Sequence, residues 1–469
     1  MPGKALTIKK ASRKKYYPTS RVQKKFWRIA KRPDPTFFNI GSVLKLSGFL
    51  NIKIFRKALR EIVKRHEILR TNFLEINGEL FQVIKKKVQP TIKVINLYKD
   101  KKFTGAAGQN LLKTLIRNEI YKPFNLEKDL PLRTTLIKTG RRDSLLILVV
   151  HGMVWDGPSY QLLLDEWAEL YNSYLEKKPS HLPPLPIQFK DYAEWEQSDK
   201  YNKRRETQKN YWLKKLKGDL PLPLCLPGAR TSVGLQLSPV DNAVDNTKEL
   251  IIDNKEILGK IKTICRQTKA TTFMFVLALL DIFLFKVTGE KDLIVETSVS
   301  LRNSSELIKS MGPILNTLAL RNQLLPQQNF IDVLKVAKKT VLEAIANREY
   351  SFSEFWEENK KVPKNPDRPL LNIFLEEFPY RRDDQMRKLF KGIEFSFTRN
   401  RLNRFRKISF DLVLAIKKSS DALLLLAFIY NHNLFSQKKM KEFLQNFEVI
   451  LKQIVRNPFA KISDLKIEK

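Results

Sequence analysis

The sequence predicts a mixed α/β fold with two lobes, and three observations support this prediction. First, 469 residues with 43% apolar side chains are enough to form more than one hydrophobic core. Second, strand-like and helix-like patterns alternate along most of the chain. Third, a Pro-rich connection at residues 179–188 separates two such alternating stretches. We therefore predict a basic flexible tail at 1–15, an N-terminal lobe at 16–178 and a C-terminal lobe at 189–469.

In the N-terminal lobe, residues 50–65 place apolar side chains at helical spacing, which predicts an amphipathic helix. Two further helices are predicted at 108–121 and 159–175. Runs of apolar and β-branched residues predict strands at 79–88, 91–95, 132–138 and 145–150. The polar sequence GRRDS between the last two strands is typical of a turn that joins a hairpin.

The C-terminal lobe has a similar order of elements. Helices are predicted at 189–216, 255–269, 272–287 and 437–455, and strands at 249–252, 293–299, 371–376, 393–397, 410–417 and 423–430. A loop rich in Pro and Gly is predicted at 221–240. The run at 272–287 is the most apolar, but it is short for a membrane span and contains Asp281, so we expect a buried core helix and no membrane span.

Positive charge is the most unusual bulk property. The formal net charge is +37, and residues 1–32 contain twelve Lys or Arg and no Asp or Glu. The excess recurs at residues 381–407. It indicates either a solvated basic surface or attraction to an anionic partner, such as an acidic carrier protein, a phosphate group or a membrane. Nucleic acid is not expected, because no nucleic-acid-binding motif accompanies the charge.

Cysteine content and the N-terminus bear on the compartment. The two cysteines, Cys225 and Cys265, are too few for a disulfide framework and lack metal-ligand spacing. No apolar segment follows the N-terminal charges, so a signal peptide is not expected. These observations favour a cytoplasmic protein without a bound metal.

The most informative motif lies at residues 145–159. An apolar strand ends on His151 and Gly152, and Asp156 and Gly157 follow in a turn. A strand that delivers a histidine to an Asp-Gly turn places polar groups at the edge of a sheet. Because adjacent strand residues point to opposite faces, we expect His151 to point away from the side that residue 152 faces.

Several segments together resemble one family. Residues 151–157 resemble the signature HHxxxDG, and the remaining matches are residues 18–27, 65–73 (RHEILRTNF), 191–195 (DYAEW), 311–321 (MGPILNTLALR) and 430–435 (YNHNLF). In this order and spacing, from about residue 16 to the C-terminus, the chain resembles the condensation domains of nonribosomal peptide synthetases. These domains belong to the chloramphenicol-acetyltransferase-like superfamily. The signature is degenerate here, because its second histidine corresponds to Gly152.

The resemblance implies two acetyltransferase-like lobes in a V-shaped pseudo-dimer with a central tunnel. It implies substrates that are presented on the phosphopantetheine arms of acyl or peptidyl carrier proteins, in trans, with no cofactor bound to the chain itself. The chain resembles a free-standing member of the family that acts in secondary metabolite biosynthesis. Two lobes within one chain lead us to expect a monomer.

The resemblance also suggests roles at the catalytic motif. His151 either acts as a base in place of the missing histidine or is structural and bonds a backbone carbonyl. Asp156 is expected to form a structural ion pair with Arg302. Gly157 is expected to permit a backbone conformation or a close approach that a Cβ would block, and its N–H is also a candidate donor to a developing oxyanion.

Three further residues are candidate substrate contacts. Trp155 either narrows the tunnel or packs in the core. Ser159 either contacts pantetheine or forms a hydrogen bond at the start of the predicted helix at 159–175. Asn316, in the 311–321 segment, is expected to hydrogen-bond the substrate.

Three functions remain open at this point. The first is a condensation enzyme that joins a carrier-bound acyl thioester to an amine or hydroxyl. The second is a non-catalytic docking module for carrier proteins or tailoring enzymes. The third is an acyltransferase that uses coenzyme A or another acyl donor. The same fold hosts all three, so the fold alone does not decide among them.

Overall fold

The structure is a computed structural model that describes residues 8–30, 35–98, 100–103, 105–218, 220–221, 223–229, 247–359, 371–378, 388–397, 410–418 and 423–467. The chain forms two compact units, each assembled from segments that are distant in sequence. The first unit comprises Met1–Asn202, Arg302–Leu315 and Arg381–Lys407, and the second comprises Lys203–Leu301, Asn316–Tyr380 and Ile408–Lys469. The contiguous lobes joined at 179–188 stay a prediction about domain boundaries. Most of the predicted loop at 221–240 and of the basic stretch at 381–407 lies outside the described residues.

A five-stranded mixed sheet is central to the first unit. Its strands are, in spatial order, β12 (Ile393–Phe397), β2 (Asn39–Gly48), β7 (Asp143–His151), β6 (Leu132–Lys138) and β5 (Ile92–Asn96). Neighbouring strands are antiparallel except β5 and β6, which are parallel. Because β7 lies between β2 and β6, its last six residues are buried, and it carries the motif histidine into the interior.

A smaller antiparallel sheet and several helices complete the described part of this unit. The sheet contains β1 (Tyr17–Pro18), β4 (Glu79–Ile84) and β3 (Thr71–Ile76). The helices are α1 (Arg21–Ala30), α2 (Ile52–Arg65), α3 (Gly105–Ile120), α4 (Gly157–Leu175), α5 (Phe189–Trp195) and the short α9 (Ser305–Ile308).

The amphipathic pattern of α2 explains how it packs. Its apolar stripe, which includes Phe55, is buried, and Asn51 caps its first turn by accepting a hydrogen bond from the Ile54 N–H at 3.2 Å. Phe55 stacks on Trp167 of α4 with ring centroids 4.3 Å apart. The Asn51 N–H also donates to the Tyr171 hydroxyl at 3.2 Å. The start of α2 therefore lies against the C-terminal half of α4.

The N-terminal segment makes specific contacts in its described part. Ile8 is buried, the Ala11 N–H donates to Asp191 at 2.8 Å, and Lys14 pairs with Glu194 at 2.6 Å. Residues 11–14 thus lie along α5. Residues 1–7 of the predicted flexible tail lie outside the described residues, and the flexibility of the tail stays a prediction.

The second unit is built on a six-stranded sheet. Its strands are, in spatial order, β10 (Leu315–Gln323), β9 (Asp292–Ser300), β11 (Ile373–Phe378), β13 (Leu412–Lys418), β14 (Leu424–Tyr430) and β8 (Thr247–Ile252). Strands β9, β11 and β13 run parallel, whereas β13, β14 and β8 are antiparallel. The helices are α6 (Asp199–Lys215), α7 (Lys255–Thr268), α8 (Thr272–Thr288), α10 (Phe330–Ala346), α11 (Phe352–Glu358) and α12 (Gln437–Arg456).

Helix α8 is the core helix of the second unit. Every residue from Met274 to Leu284 is buried in the cluster that the sheet and the helices α10 and α12 surround. Among the described helices none is by itself long and apolar enough to cross a membrane, although α7 and α8 together, bent by 103°, meet the length and composition criteria.

One helix prediction was wrong. The single helix predicted at 189–216 is two helices, α5 and α6, separated at Glu196–Ser198. Glu196 is buried, and its carboxylate accepts hydrogen bonds from the Arg21 N–H at 2.9 Å and from the Tyr192 hydroxyl at 2.6 Å. These contacts hold the chain at the break, and no local apolar pattern signals them.

Candidate functional site

The motif at 151–157 leaves the sheet at the end of β7. His151 is paired with Asn39 of β2, and its N–H donates to Pro131 O at 3.0 Å. Gly152 to Val154 then form a single 3₁₀ turn, and α4 begins at Gly157. The motif therefore lies between a buried strand end and a helix start.

The His151 side chain is buried and serves the backbone. Its Nδ1 accepts a hydrogen bond from the Met153 N–H at 3.2 Å, so the neutral ring carries its proton on Nε2. The ring lies between Phe38 and Phe124, with centroid distances of 6.1 and 6.0 Å. The predicted structural role named a backbone carbonyl as the partner, whereas the partner observed is a backbone amide.

Burial makes His151 a poor base. Desolvation, together with the positive charge of Arg133, lowers the pKa of His151 to about 3. The Arg133 guanidinium lies 3.8 Å above the ring of Phe124, which itself meets the His151 ring edge-on. At neutral pH the imidazole is therefore uncharged and has little tendency to accept a proton.

Gly152 is the residue that the family resemblance pairs with the second histidine of the signature. Its N–H donates to Phe38 O at 2.9 Å, and its carbonyl accepts from the Trp155 N–H at 3.3 Å. A Cβ added at Gly152 would lie 3.3 Å from Cδ1 of Phe38. Phe38, which no sequence motif singled out, therefore limits the space beside this residue.

Asp156 caps α4 and binds Arg302 at the same time. Its Oδ1 accepts the Ser159 N–H at 2.9 Å and the Arg302 Nη2 at 3.1 Å, and its Oδ2 accepts the Arg302 Nη1. The Ile314 N–H adds a bond to Oδ2 at 3.1 Å. The side chains of the pair are nearly inaccessible, at 1% and 5% exposure. The structure thus brings together the two residues that the sequence paired.

Arg302 fastens the segment 302–315 to the first unit. Beyond Asp156, its guanidinium donates to the carbonyls of Ser310 and Gly312, each at 3.1 Å. One buried arginine therefore links the start of α4 to both ends of this segment. The geometry is that of an architectural ion pair, with every carboxylate oxygen already in use.

Ser159 belongs to the same network. Its hydroxyl donates to Asp156 Oδ1 at 2.6 Å and accepts the Gly312 N–H at 2.9 Å, and the residue is fully buried. This arrangement corresponds to the helix-start alternative. Contact with pantetheine stays a prediction, and it would require these bonds to be given up.

Gly157 and Trp155 flank the aspartate. Gly157 is exposed at the first turn of α4, no described atom lies within 4 Å of its Cβ position, and its φ is outside the left-handed region. The expected close approach at Gly157 is therefore wrong, whereas an N–H role toward an oxyanion stays a prediction. Trp155 is 3% exposed and meets Tyr160 edge-on at 6.2 Å, as a core aromatic does.

Asn316 belongs to the second unit. Its Nδ2 donates to Arg348 O at 3.0 Å, and its Oδ1 accepts the N–H of Thr317 at 3.2 Å. Both ends of the amide thus have partners within that unit. A substrate hydrogen bond from Asn316 stays a prediction.

The motif at 65–73 forms a second polar cluster in the first unit. Glu166 Oε2 lies 2.6 Å from His66 Nε2 and 3.0 Å from Arg65 Nε. Burial opposes ionisation of Glu166, but the hydrogen bonds from His66 and Arg65 outweigh it and lower the pKa of Glu166. This cluster ties the end of α2 to α4.

The described part of the motif therefore holds no side chain suited to proton transfer near neutral pH. The histidine is buried and neutral, the aspartate is saturated by Arg302 and backbone donors, and position 152 has no side chain. Among the described residues no group of His, Cys, Asp and Glu could hold a metal ion.

The fold and this motif define a chloramphenicol-acetyltransferase-like α/β protein, and comparisons with known proteins give the family. A model of the condensation domain matches residues 13–469, so the chain belongs to the condensation domain family. It is a condensation-domain-like protein of the nonribosomal peptide synthetase type.

Curated relatives are much longer than this chain. It is 28% identical over 461 residues to bacitracin synthase 1 of Bacillus licheniformis, a match that covers 98% of the chain and 8% of the synthase. It is 28% identical over 464 residues to tyrocidine synthase 3 of Brevibacillus parabrevis, a match that covers 98% of the chain and 7% of that synthase. The chain thus spans less than a tenth of the length of these relatives.

Solved structures share the fold. The X-domain from teicoplanin biosynthesis matches with a TM-score of 0.83 at 21% identity, over 99% of this chain and 100% of that one. The starter condensation domain of rhizomide synthetase, solved with C8-CoA, matches with a TM-score of 0.79 at 18% identity, over 97% and 98% of the two chains. A further match, with a TM-score of 0.81 at 21% identity over 99% of each chain, is a complex of the X-domain and OxyB.

Proposed function

We propose that this chain is a condensation-type domain that binds partner proteins of nonribosomal peptide biosynthesis without catalysing bond formation. One observation carries the proposal: position 152 has no side chain, and the adjacent His151 is buried with a pKa of about 3. The fold is retained while the means of proton transfer is missing.

The chemistry explains why this matters. Attack of an amine or hydroxyl on a thioester is helped by a group that accepts a proton near the working pH. A histidine with a pKa of about 3 is too weak a base at neutral pH, and Asp156 has both oxygens bound. Loss of general-base help costs about 10²–10⁴-fold in rate. A domain with this motif is better suited to binding than to turnover.

Membership of the condensation domain family and the positive net charge of the chain both indicate what kind of partner it binds. Carrier proteins that present substrates on phosphopantetheine arms, supplied in trans, are the first candidates. The likeness to the X-domain, which has been solved in complex with OxyB, supports recruitment of a tailoring enzyme as the alternative. A net charge of +37 suits an acidic partner of either kind.

A residual acyltransferase is the second candidate. Asp156, Arg302 and Ser159 form a continuous hydrogen-bond network in this chain, so the start of α4 beside the motif is held in a defined geometry. Alignment of two tethered substrates alone can accelerate a reaction by several orders of magnitude. The donor would be a carrier-bound thioester or, by analogy with the domain solved with C8-CoA, a coenzyme A thioester.

The test measures binding and product formation on the same samples. Donor and acceptor carrier domains of bacitracin synthase 1, loaded with their aminoacyl groups, are titrated into this chain by calorimetry, and dipeptide is quantified by mass spectrometry. We expect micromolar binding and no dipeptide above the rate without this chain. Dipeptide formation above that rate would overturn the proposal. If neither carrier binds, the carrier arm of the proposal fails and purified OxyB is the next probe.

A further inference from the structure

The solvent face of α2 carries an uninterrupted stripe of cations. Lys53, Lys57, Arg60 and Lys64 are all exposed and follow one another at spacings of four, three and four residues. This spacing places them on one side of the helix, opposite the buried apolar stripe. With a rise of about 1.5 Å per residue, the stripe is about 16 Å long.

Most of this charge is not balanced within the first unit. Across the described residues, Lys53, Lys57 and Arg60 form no ion pair, and the one carboxylate on this face, Glu61, lies 3.7 Å from Lys64. Like charges at such spacings oppose helix formation. Folding alone therefore does not favour the stripe.

The exposed lysines of α10 in the second unit differ in this respect. Lys335 lies 3.6 Å from Asp332, and Lys339 lies 4.0 Å from Glu343. Exposed lysines on α10 therefore have carboxylate partners on their own helix. The α10 lysines also provide a matched control.

Two aromatic side chains adjoin the stripe. Phe49, four residues before Lys53, is 65% exposed, and the Arg142 guanidinium lies 4.3 Å from the centre of its ring. The Lys57 ammonium lies 4.2 Å from the ring of Tyr174 on α4. These contacts join the β6–β7 turn to the β2–α2 loop, which leads directly into α2, and join α2 to α4.

We propose that this surface binds an acidic amphipathic helix of a partner protein. The α2 surface consists of Phe49, Lys53, Lys57, Arg60, Lys64, Arg142 and Tyr174. Aromatic and arginine side chains supply much of the binding energy at protein interfaces, and a surrounding row of charges steers a partner of opposite sign. The inference rests on the proposed function, because it names the chemistry of the partner that a docking domain would recruit.

The same contacts disfavour two other anionic partners. Single-stranded nucleic acid binds by stacking bases on open aromatic faces, whereas Phe49 and Tyr174 each have a cation over the ring. An anionic membrane is bound by a helix that exposes an apolar face, whereas the apolar face of α2 is buried. An acidic helix needs neither of these features.

The experiment uses the full chain and a defined probe. The probe is a fluorescein-labelled helical peptide with four Glu residues that follow one another at spacings of four, three and four residues, and with Leu at neighbouring positions. A second peptide, identical except for Gln in place of each Glu, is the neutral comparison. Binding is followed by fluorescence anisotropy from 50 to 300 mM salt. The test variant combines Lys53→Gln, Lys57→Gln and Arg60→Gln. The control combines Lys335→Gln, Lys339→Gln and Lys441→Gln, which changes net charge equally at exposed helix positions of the second unit.

We expect the acidic peptide to bind the unmodified chain at least about tenfold more tightly than the Gln peptide, and the test variant to lose that difference. The control variant should keep this difference in affinity, and Phe49→Ala should weaken binding without changing its salt dependence.

An equal loss of affinity for the acidic peptide in the two triple variants would overturn the proposal, as would an unchanged affinity in the test variant. Binding of a (dT)16 oligonucleotide or of phosphatidylglycerol vesicles, but not of the acidic peptide, through these same residues would also overturn it. The outcome of the peptide experiment does not determine the outcome of the carrier-binding and dipeptide assay, so the two proposals can fail separately.

Discussion

Arg302 holds Asp156 by two hydrogen bonds from one guanidinium, and this pair closes the segment 302–315 onto the first turn of α4. In a family whose signature contains this aspartate, its oxygens are here used entirely for architecture. The motif therefore combines a hydrogen-bonded scaffold, built on Asp156 and Arg302, with a residue at position 152 that has no side chain.

The first prediction concerns this ion pair. Asp156→Asn leaves the Arg302 guanidinium buried without its counter-ion, which costs about 3–5 kcal/mol for a buried pair. We expect amide hydrogen exchange at Gly312 and Ile314 to accelerate by at least about 100-fold, because their N–H groups are held by Ser159 and Asp156.

The control for that experiment is Glu256→Gln, which breaks the exposed pair with Lys260 on α7. It should leave exchange at Gly312 and Ile314 unchanged. If Asp156→Asn also leaves that exchange unchanged, the pair does not hold the segment.

The second prediction concerns the protonation of His151. Because burial and Arg133 lower the pKa of His151 to about 3, its ring stays neutral from pH 8 to about 4.5. The free energy of unfolding, taken relative to that of His151→Gln, should be highest above pH 6.5 and should fall as the pH approaches 3. The reason is that the histidine binds a proton at a higher pH in the unfolded chain than in the folded chain. The measurement is the ¹³Cε1 shift of His151, assigned by its absence in His151→Gln. A shift change centred near pH 6.5 would contradict the assignment of a buried, neutral ring.

The third prediction concerns space at position 152. Gly152→Ala places a Cβ 3.3 Å from Phe38, which must move by a few tenths of an ångström, so we expect a loss of about 1 kcal/mol. Phe38→Leu should reduce that loss. Gly312→Ala is the contrasting variant, because its φ is +138° and its Cβ would lie 2.0 Å from Phe189. Chemical denaturation should show a much larger loss for Gly312→Ala than for Gly152→Ala; equal losses would contradict this account of the space at position 152.

The fourth prediction concerns Asp281 in the core of α8. Complete burial raises the pKa of Asp281 to about 8, and the hydrogen bond from Asn322 at 2.7 Å only partly offsets this. The folded state therefore binds a proton that the unfolded state releases above pH 4. Stability relative to Asp281→Asn should fall by up to about 1.4 kcal/mol per pH unit from pH 4 to 8 and then level off. Denaturation at pH 5, 7 and 9 measures the difference, and a difference independent of pH would show that Asp281 is not protonated in the folded chain.

The sequence predicts elements with strong local patterns. The apolar spacing at 50–65 corresponds to α2, and the run at 272–287 corresponds to α8, because a buried stripe or a buried helix leaves a direct record in hydrophobicity. The strand that ends on His151 is recognisable for the same reason. The aspartate and Arg302 are found through the family resemblance, since 146 residues separate them.

What the sequence does not reveal depends on distant contacts. Strand β2 is flanked by β7 and by β12, which is more than 340 residues away, and no local pattern specifies that pairing. Phe38 was missed because its position beside Gly152 results from the register of β2 and β7. The lowered pKa of His151 could not be predicted from the sequence either, since it depends on burial beside Phe38 and Phe124 and on the charge of Arg133.

Single-turnover product formation shows whether this chain catalyses bond formation between carrier-bound substrates. Loaded donor and acceptor carriers are mixed with excess unmodified chain, with His151→Ala, or with no chain, and the amide product is quantified over time. We expect the three time courses to coincide. A faster course with the unmodified chain, abolished by His151→Ala, would contradict this expectation and restore His151 as a working base.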